Sequence, residues 1–363
     1  MRFPSLYAAT VLVVVQPAFA QDSAWRAEVL LKSEHGMGGA TIGDLDPESR
    51  GNEVAAVDAC GEVWLARRSA DRWTSERIHK GDGELIMCAI GDLHPHHAGN
   101  EFVGVGMLRG EESVTGRGQV LMIRKDGSEW AATQIFEDSH MIHGVAVGDV
   151  ATRTAGNEII ACGFNHRVTL LSFADGKWGH EVIYVGNDRM KIAVIADVLS
   201  ERDGLEVVVS GSDGQVVVLW EDRLGWKHEI IYADAAGQSR VACGDMGVLI
   251  GGDQGKVTLA RRQDGRWVTE CVARDRGKIR GVAIADVDDR VPGPELYVCG
   301  YSRNVTQVMQ DADGYWHSKH VYTDERPLHH LLAGEFEAEH PGPELATCGH
   351  SGQLLGLLTT TVP

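Results

Sequence analysis

An acidic residue recurs seven times along the chain after a short apolar run, as Asp44, Asp92, Asp149, Asp197, Asp245, Asp286 and Glu335. Six residues before it stand Gly38, Ile86, His143, Lys191, Ser239, Arg280 and His329, so four of seven equivalent places hold a potential cation. Arg240 and His330 lie five before the same landmark, and Arg189 and Lys278 eight before it. By contrast, the residues seven before it are Met37, Leu85, Ile142, Met190, Gln238, Ile279 and Leu328, nearly all apolar. This alternation gives the basic residues a shared orientation on a strand.

Guanidinium and ammonium groups neutralise carboxylate, sulfate or phosphate, or the carbonyl oxygen of a reacting sugar. Imidazole titrates near neutral pH, which makes His143, His329 and His330 candidate bases, with Tyr301 a candidate acid. Lys191, Arg280, Arg303, Arg189, Lys278, Arg240 and His166 are the candidate substrate-binding groups. His329, His330, His350 and His143 could instead hold one zinc-like divalent ion, since imidazole nitrogen suits it. No compact metal motif is present, and no G-x-S-x-G, Walker-type loop, H-E-x-x-H or dinucleotide fingerprint occurs.

Charge narrows the ligand. The chain carries a formal charge of −18, or −19 without Arg2. Nucleic acid and anionic membrane both select for clustered positive charge, so neither is an expected partner. A basic, imidazole-rich ring in such a chain is therefore an exception, and a small-molecule or oligosaccharide anion is the partner it suits.

Residues 1–20 read as an export leader: Arg2, an apolar run from Leu6 to Val15, then Ala18-Phe19-Ala20 before Gln21. That run is shorter than the roughly 20 apolar residues a spanning helix needs. An exported, periplasmic or extracellular protein is expected. Seven cysteines follow, an odd number that cannot all pair within one chain, and no C-x-x-C occurs. Buried free thiols acting as small apolar residues are expected.

A repeat must position these residues. Tryptophans stand at Trp25, Trp73, Trp130, Trp178, Trp226, Trp267 and Trp316. Five residues after each comes an aliphatic: Leu30, Ile78, Ile135, Ile183, Ile231, Val272 or Val321. Three residues after, five copies have glutamate: Glu28, Glu76, Glu181, Glu229 and Glu270. The acidic landmark is followed by a polar loop closed by G-x-E in every copy but the fifth, ending at Glu53, Glu101, Glu158, Glu206, Glu295 and Glu344. Four short strands per copy make a meander of the size of a propeller blade. The last copy ends near Leu357 without a tryptophan strand, whereas residues 24–31 supply one with nothing before it. A seven-bladed, all-β propeller spanning residues 21–363 as one domain follows, with the N-terminal strand completing the last blade. Closure removes exposed sheet edges.

The G-D-x-D and G-N-E elements resemble the FG-GAP/VCBS-type propeller repeats, over essentially the whole chain beyond residue 20. The resemblance implies an acidic calcium ladder in the first loop of each blade. Asp44, Asp46 and Glu48 keep that rhythm, as do Glu335, Glu337 and Glu339, but His94 and Ala151 break it elsewhere. Calcium wants six to eight oxygens, so hydrogen-bonded turns are expected in place of calcium sites.

Fold alone does not choose a function. One expectation is a lyase or dehydratase acting on an acidic or oxidised sugar; several polysaccharide lyases and the aldos-2-ulose dehydratases are propellers, an analogy of fold and residue type. The alternative is a non-catalytic propeller that binds an anionic glycan or a protein partner. The insertion in blade two, around Arg109, Glu111, Glu112 and Arg117, could overhang the pocket or form a partner surface. His94, His96 and His97 are expected as surface residues on the opposite rim.

Overall fold

The computed structural model describes residues 24–69, 72–81, 83–108, 116–340 and 342–360. The leader expected over residues 1–20 and most of the blade-two insertion lie outside these. Seven four-stranded antiparallel sheets form a ring, and six of them take their strands in sequence order. Blade one covers residues 37–80, blade two 84–138, blade three 142–185, blade four 190–233, blade five 238–274 and blade six 279–323. Blade seven takes three strands from residues 328–359, and its outermost strand is the N-terminal Trp25–Lys32. Trp25 pairs with Thr359 and Lys32 with Gln353, so the first and last strands of the described residues close the ring together. No helix among the described residues is long and apolar enough to cross a membrane.

Each repeat residue has a physical task. The second strand of every blade is sandwiched between neighbouring sheets and is buried along its length, as in Glu53–Asp58 and Glu206–Gly211. Valine, isoleucine and alanine suit that position, where both faces pack. The aliphatic five after tryptophan is buried in every blade but the second, where Ile135 is half-buried. The glutamate three after tryptophan pairs with a cation on a neighbouring strand or loop, as in Glu229–Arg262 at 2.9 Å and Glu270–Arg261 at 3.2 Å.

The closing glutamate of G-x-E is a buried cap. Glu158 Oε2 accepts the backbone N–H groups of Val150 and Ala151 at 3.0 and 3.1 Å. Glu53, Glu101, Glu206, Glu295 and Glu344 accept the equivalent pair in their own blades. Two loop amides that would otherwise be buried unpaired are thereby satisfied. The asparagine of G-N-E works between blades: Asn52, Asn100 and Asn157 donate to the carbonyls of Glu335, Asp44 and Asp92, the landmark of the preceding blade.

Two other acids of the loops are buried in ion pairs. Asp46 contacts Lys125 at 2.5 Å and Arg67 at 3.1 Å, and Glu337 contacts Arg68 at 3.3 Å. The cysteines are all free thiols, with Cys88, Cys162, Cys299 and Cys348 buried and Cys60 and Cys271 exposed. On the opposite rim His94 and His96 pack edge-on, while His97 tucks in and meets Lys125 O at 2.7 Å and Glu101 Oε1 at 2.7 Å.

Candidate functional site

The residue six before the acidic landmark is a β-bulge in every blade. Pairing between the first and second strands skips Gly38, Ile86, His143, Lys191, Ser239, Arg280 and His329 in turn. A bulge inserts an unpaired residue and re-aims its side chain. The same irregularity repeated around the ring is what gathers these seven positions. The residues seven before the landmark are buried in the sheets, at no more than 3 % exposed from Met37 to Leu328.

A second group joins from the turn between strands two and three. The backbone N–H of Ala59, Phe164, Ser212, Asp253, Tyr301 and His350 each donates to the carbonyl eight before the landmark, at 2.8 to 3.0 Å. These bonds hold the turn residues beside the bulges. His166 and Arg303 occupy a left-handed place in the same turns, with φ of 68° and 74°, where other blades use Gly61, Gly214, Gly255 and Gly352. A side chain in that conformation costs energy that glycine avoids.

The histidines and arginines fall into two layers. In the deeper one, each bulge histidine bolts its blade to the next: His143 Nδ1 meets Lys191 O at 2.7 Å, and His329 Nδ1 meets Gly38 O at 2.7 Å. A carbonyl can only accept, so both rings carry the proton on Nδ1 and present the Nε2 lone pair. His330 does the reverse, with Nδ1 accepting the Ala40 N–H at 3.1 Å. Arg240 is 3 % exposed and donates to Ser239 O at 2.8 Å and, across to blade seven, to His329 O at 3.4 Å. Its Nε has no hydrogen-bond partner among the described residues.

The outer layer is the mouth. Arg280 Nη1 donates to Asp253 Oδ1 and Ser239 Oγ, both at 2.7 Å, and its guanidinium lies 4.9 Å from the Tyr301 ring centre. Ser239 donates to the same Asp253 oxygen at 2.6 Å. Arg189 and Lys191 lie 5.2 and 5.9 Å from the Phe164 ring centre, and His143 stacks on that ring. His350 makes edge contacts with Tyr301 and His329. Lys278 is exposed, and Arg303 is exposed with a 3.4 Å bond to Glu325 O.

Electrostatics follow from this crowding. Burial, then the Arg240 charge, hold His329 and His330 at about 3, and the same causes push His143 well below the usual imidazole range. The three rings are therefore neutral at pH 7, which removes them from the expected ring of cations. Burial, then Arg280, draws Arg240 down to about 10. Lys191 is lowered by burial first, with Arg280, Arg189 and Arg240 adding to it against the pull of Asp253. Burial acts upward on Asp253, but Ser239 and Arg280 hold its carboxyl below the ordinary value.

Comparison with solved structures recovers the architecture. The crystal structure of the WD40 β-propeller domain of Doa1 superposes with a TM-score of 0.62 at 11% identity, over 92% of this chain and 96% of that one. The RRP9 WD40 repeats give 0.63 at 11%, over 92% and 97%. The likeness is one of fold. No family model matches the chain, and no curated protein does.

The ring thus brings together His143, Lys191, Arg240, Arg280, His329, His330, Tyr301, His350 and Arg189. Arg303, His166 and Lys278 stand farther out on the turns and rim. Among the described residues no three His, Cys, Asp or Glu side chains are grouped as a metal ion would need, and the Arg240 charge sits among the imidazoles. Sequence reasoning gave no role to Asp253 and Ser239, which orient Arg280. The signal was available: Asp253 is the one acid at its turn position across the described blades, and Ser239 the one hydroxyl among the bulges.

Proposed function

We propose that the axial mouth recognises a carboxylate, sulfate or phosphate on a small molecule or acidic glycan, without turning it over, on an exported propeller of the FG-GAP/VCBS type. One observation carries this reading. Lys191, Arg240 and Arg280 converge, and the only carboxylate within ion-pairing distance of any of them among the described residues is Asp253, against Arg280. Buried cations without a matching anion are costly, and an arriving oxyanion relieves that cost. Imidazoles held at about 3 are weak bases, which supports binding over chemistry.

Calorimetry tests the reading directly, with sodium sulfate and a galacturonate oligosaccharide as probes. Saturable heat that Arg280→Ala weakens at least tenfold is expected. Absence of saturable heat with both probes, or equal heat from the variant, refutes it. The second reading, elimination on an acidic sugar, rests on the inward Nε2 lone pairs of His143 and His329. It requires an ultraviolet-absorbing unsaturated product from the oligosaccharide, and the loss of that product in His143→Ala plus His329→Ala.

A further inference from the structure

Lys191 differs from the three arginines that crowd the mouth, and Lys278 stands apart on the exposed rim. Arg280 is tied to Asp253 and Ser239, and Arg240 donates to two carbonyls. Arg189 lies 3.6 Å from Asp188. The Lys191 ammonium makes no hydrogen bond or ion pair with any described residue, although its backbone carbonyl is fixed by His143 and its inner strand is rigidly paired. It is half-buried against the Phe164 ring, on a bulge that aims it at the axis. Its electrostatic neighbours are three guanidiniums and one carboxylate: Arg189, Arg240, Arg280 and Asp253.

A lysine desolvated beside other cations is the kind that loses its proton readily and becomes a nucleophile. The flanking guanidiniums would hold the carboxylate of a ligand, which puts a neighbouring carbonyl within reach of the amine. We infer that Lys191 condenses reversibly with the carbonyl group of an anionic aldehyde or ketone, so that the ligand class is an α-oxo acid or an oxidised sugar acid. This rests on the anion-binding reading above and narrows it.

The step balances without an outside redox partner. The neutral Nζ adds to the carbonyl carbon, forming the C–N bond as the C=O π pair moves to oxygen and is protonated. Oxygen takes the first nitrogen proton to give the carbinolamine, whose hydroxyl then leaves with the second nitrogen proton as water, giving the imine. Hydrolysis returns the free amine and the ligand.

Glyoxylate with sodium cyanoborohydride tests this, because hydride reduces the imine to a stable secondary amine that peptide mass spectrometry locates. Lys191 is expected to carry at least tenfold more adduct than exposed Lys32 or Lys177 at neutral pH, and excess sulfate is expected to suppress its labelling selectively. Labelling in proportion to exposure, or none at Lys191, overturns the proposal. Lys191→Arg keeps the charge and removes the amine, and it is expected to lose the preferential adduct. If sulfate binds and no adduct forms, the covalent step fails alone. If sulfate does not bind, the underlying anion site fails as well.

Discussion

Replacing Glu158 with alanine isolates the device that every blade but the fifth repeats. The side chain is 1 % exposed and its Oε2 holds two loop amides, while Thr154 hydroxyl caps the other oxygen. Val150 and Ala151, which own those amides, are themselves buried. An unsatisfied buried donor costs about 1–3 kcal/mol. Two of them, partly rehydrated because the loop borders solvent, should lower stability by about 3–4 kcal/mol. Glu158→Gln keeps an acceptor but loses the charge assistance, and about 1–2 kcal/mol is expected. Urea unfolding followed by tryptophan fluorescence gives both numbers from the shift in midpoint. Glu181→Ala is the control, because that glutamate meets Arg153 on the exposed surface, where a pair is worth about 0–1 kcal/mol. A Glu158→Ala loss no larger than the Glu181→Ala loss would refute the capping argument.

Four other outcomes are expected. Arg240→Met removes the second-largest cause of the low His329 and His330 values, so their pKa should rise from about 3 by about 1–2 units; unmoved imidazole resonances in an NMR titration contradict this. In the intact protein these neutral rings withhold protons that the unfolded chain accepts, so stability should fall as pH drops from 6.5 towards 3. Glu295 has the opposite sign: burial raises it to about 7, so its contribution is complete below 4.5 and is lost as pH rises through 7. Glu295→Gln should therefore gain on the parent protein in melting temperature between pH 4.5 and 8, and a constant difference across that range dismisses the claim. Finally, His166→Gly and Arg303→Gly relieve positive φ angles and should each stabilise by about 0.5–1 kcal/mol in chemical denaturation; destabilisation would show that their side chains make contacts outweighing the strain.

The ring was legible because its determinants are local and repeated. Tryptophan spacing, the acidic landmark and the G-x-E closure each mark one strand or loop, and seven copies reinforce one another. The orientation of the bulge residues was also readable, since apolar residues such as Met190 and Ile279 alternate with Lys191 and Arg280. Protonation was not. Whether His329 is a cation depends first on how deeply the assembled ring buries it and then on Arg240, which is 89 residues away in sequence and reaches it across the ring. Likewise the pairing of Arg280 with Asp253 joins different blades, and no spacing rule within one repeat announces it. The glutamate of G-x-E read as a turn marker, while its role as acceptor for two amides needed the loop's path in space.

The seam of the ring lies in blade seven, the blade that also carries His329, His330 and His350. Residues 25–32 clasp residues 353–359 there by antiparallel pairing, so the two ends of the described chain are neighbours. A circular permutant, with those ends linked and new ones cut in the exposed Asp175-Gly176 turn, would move the seam from blade seven to blade three. Occupancy of the mouth and fastening of the clasp should be thermodynamically linked in the natural connectivity, and that linkage should weaken in the permutant.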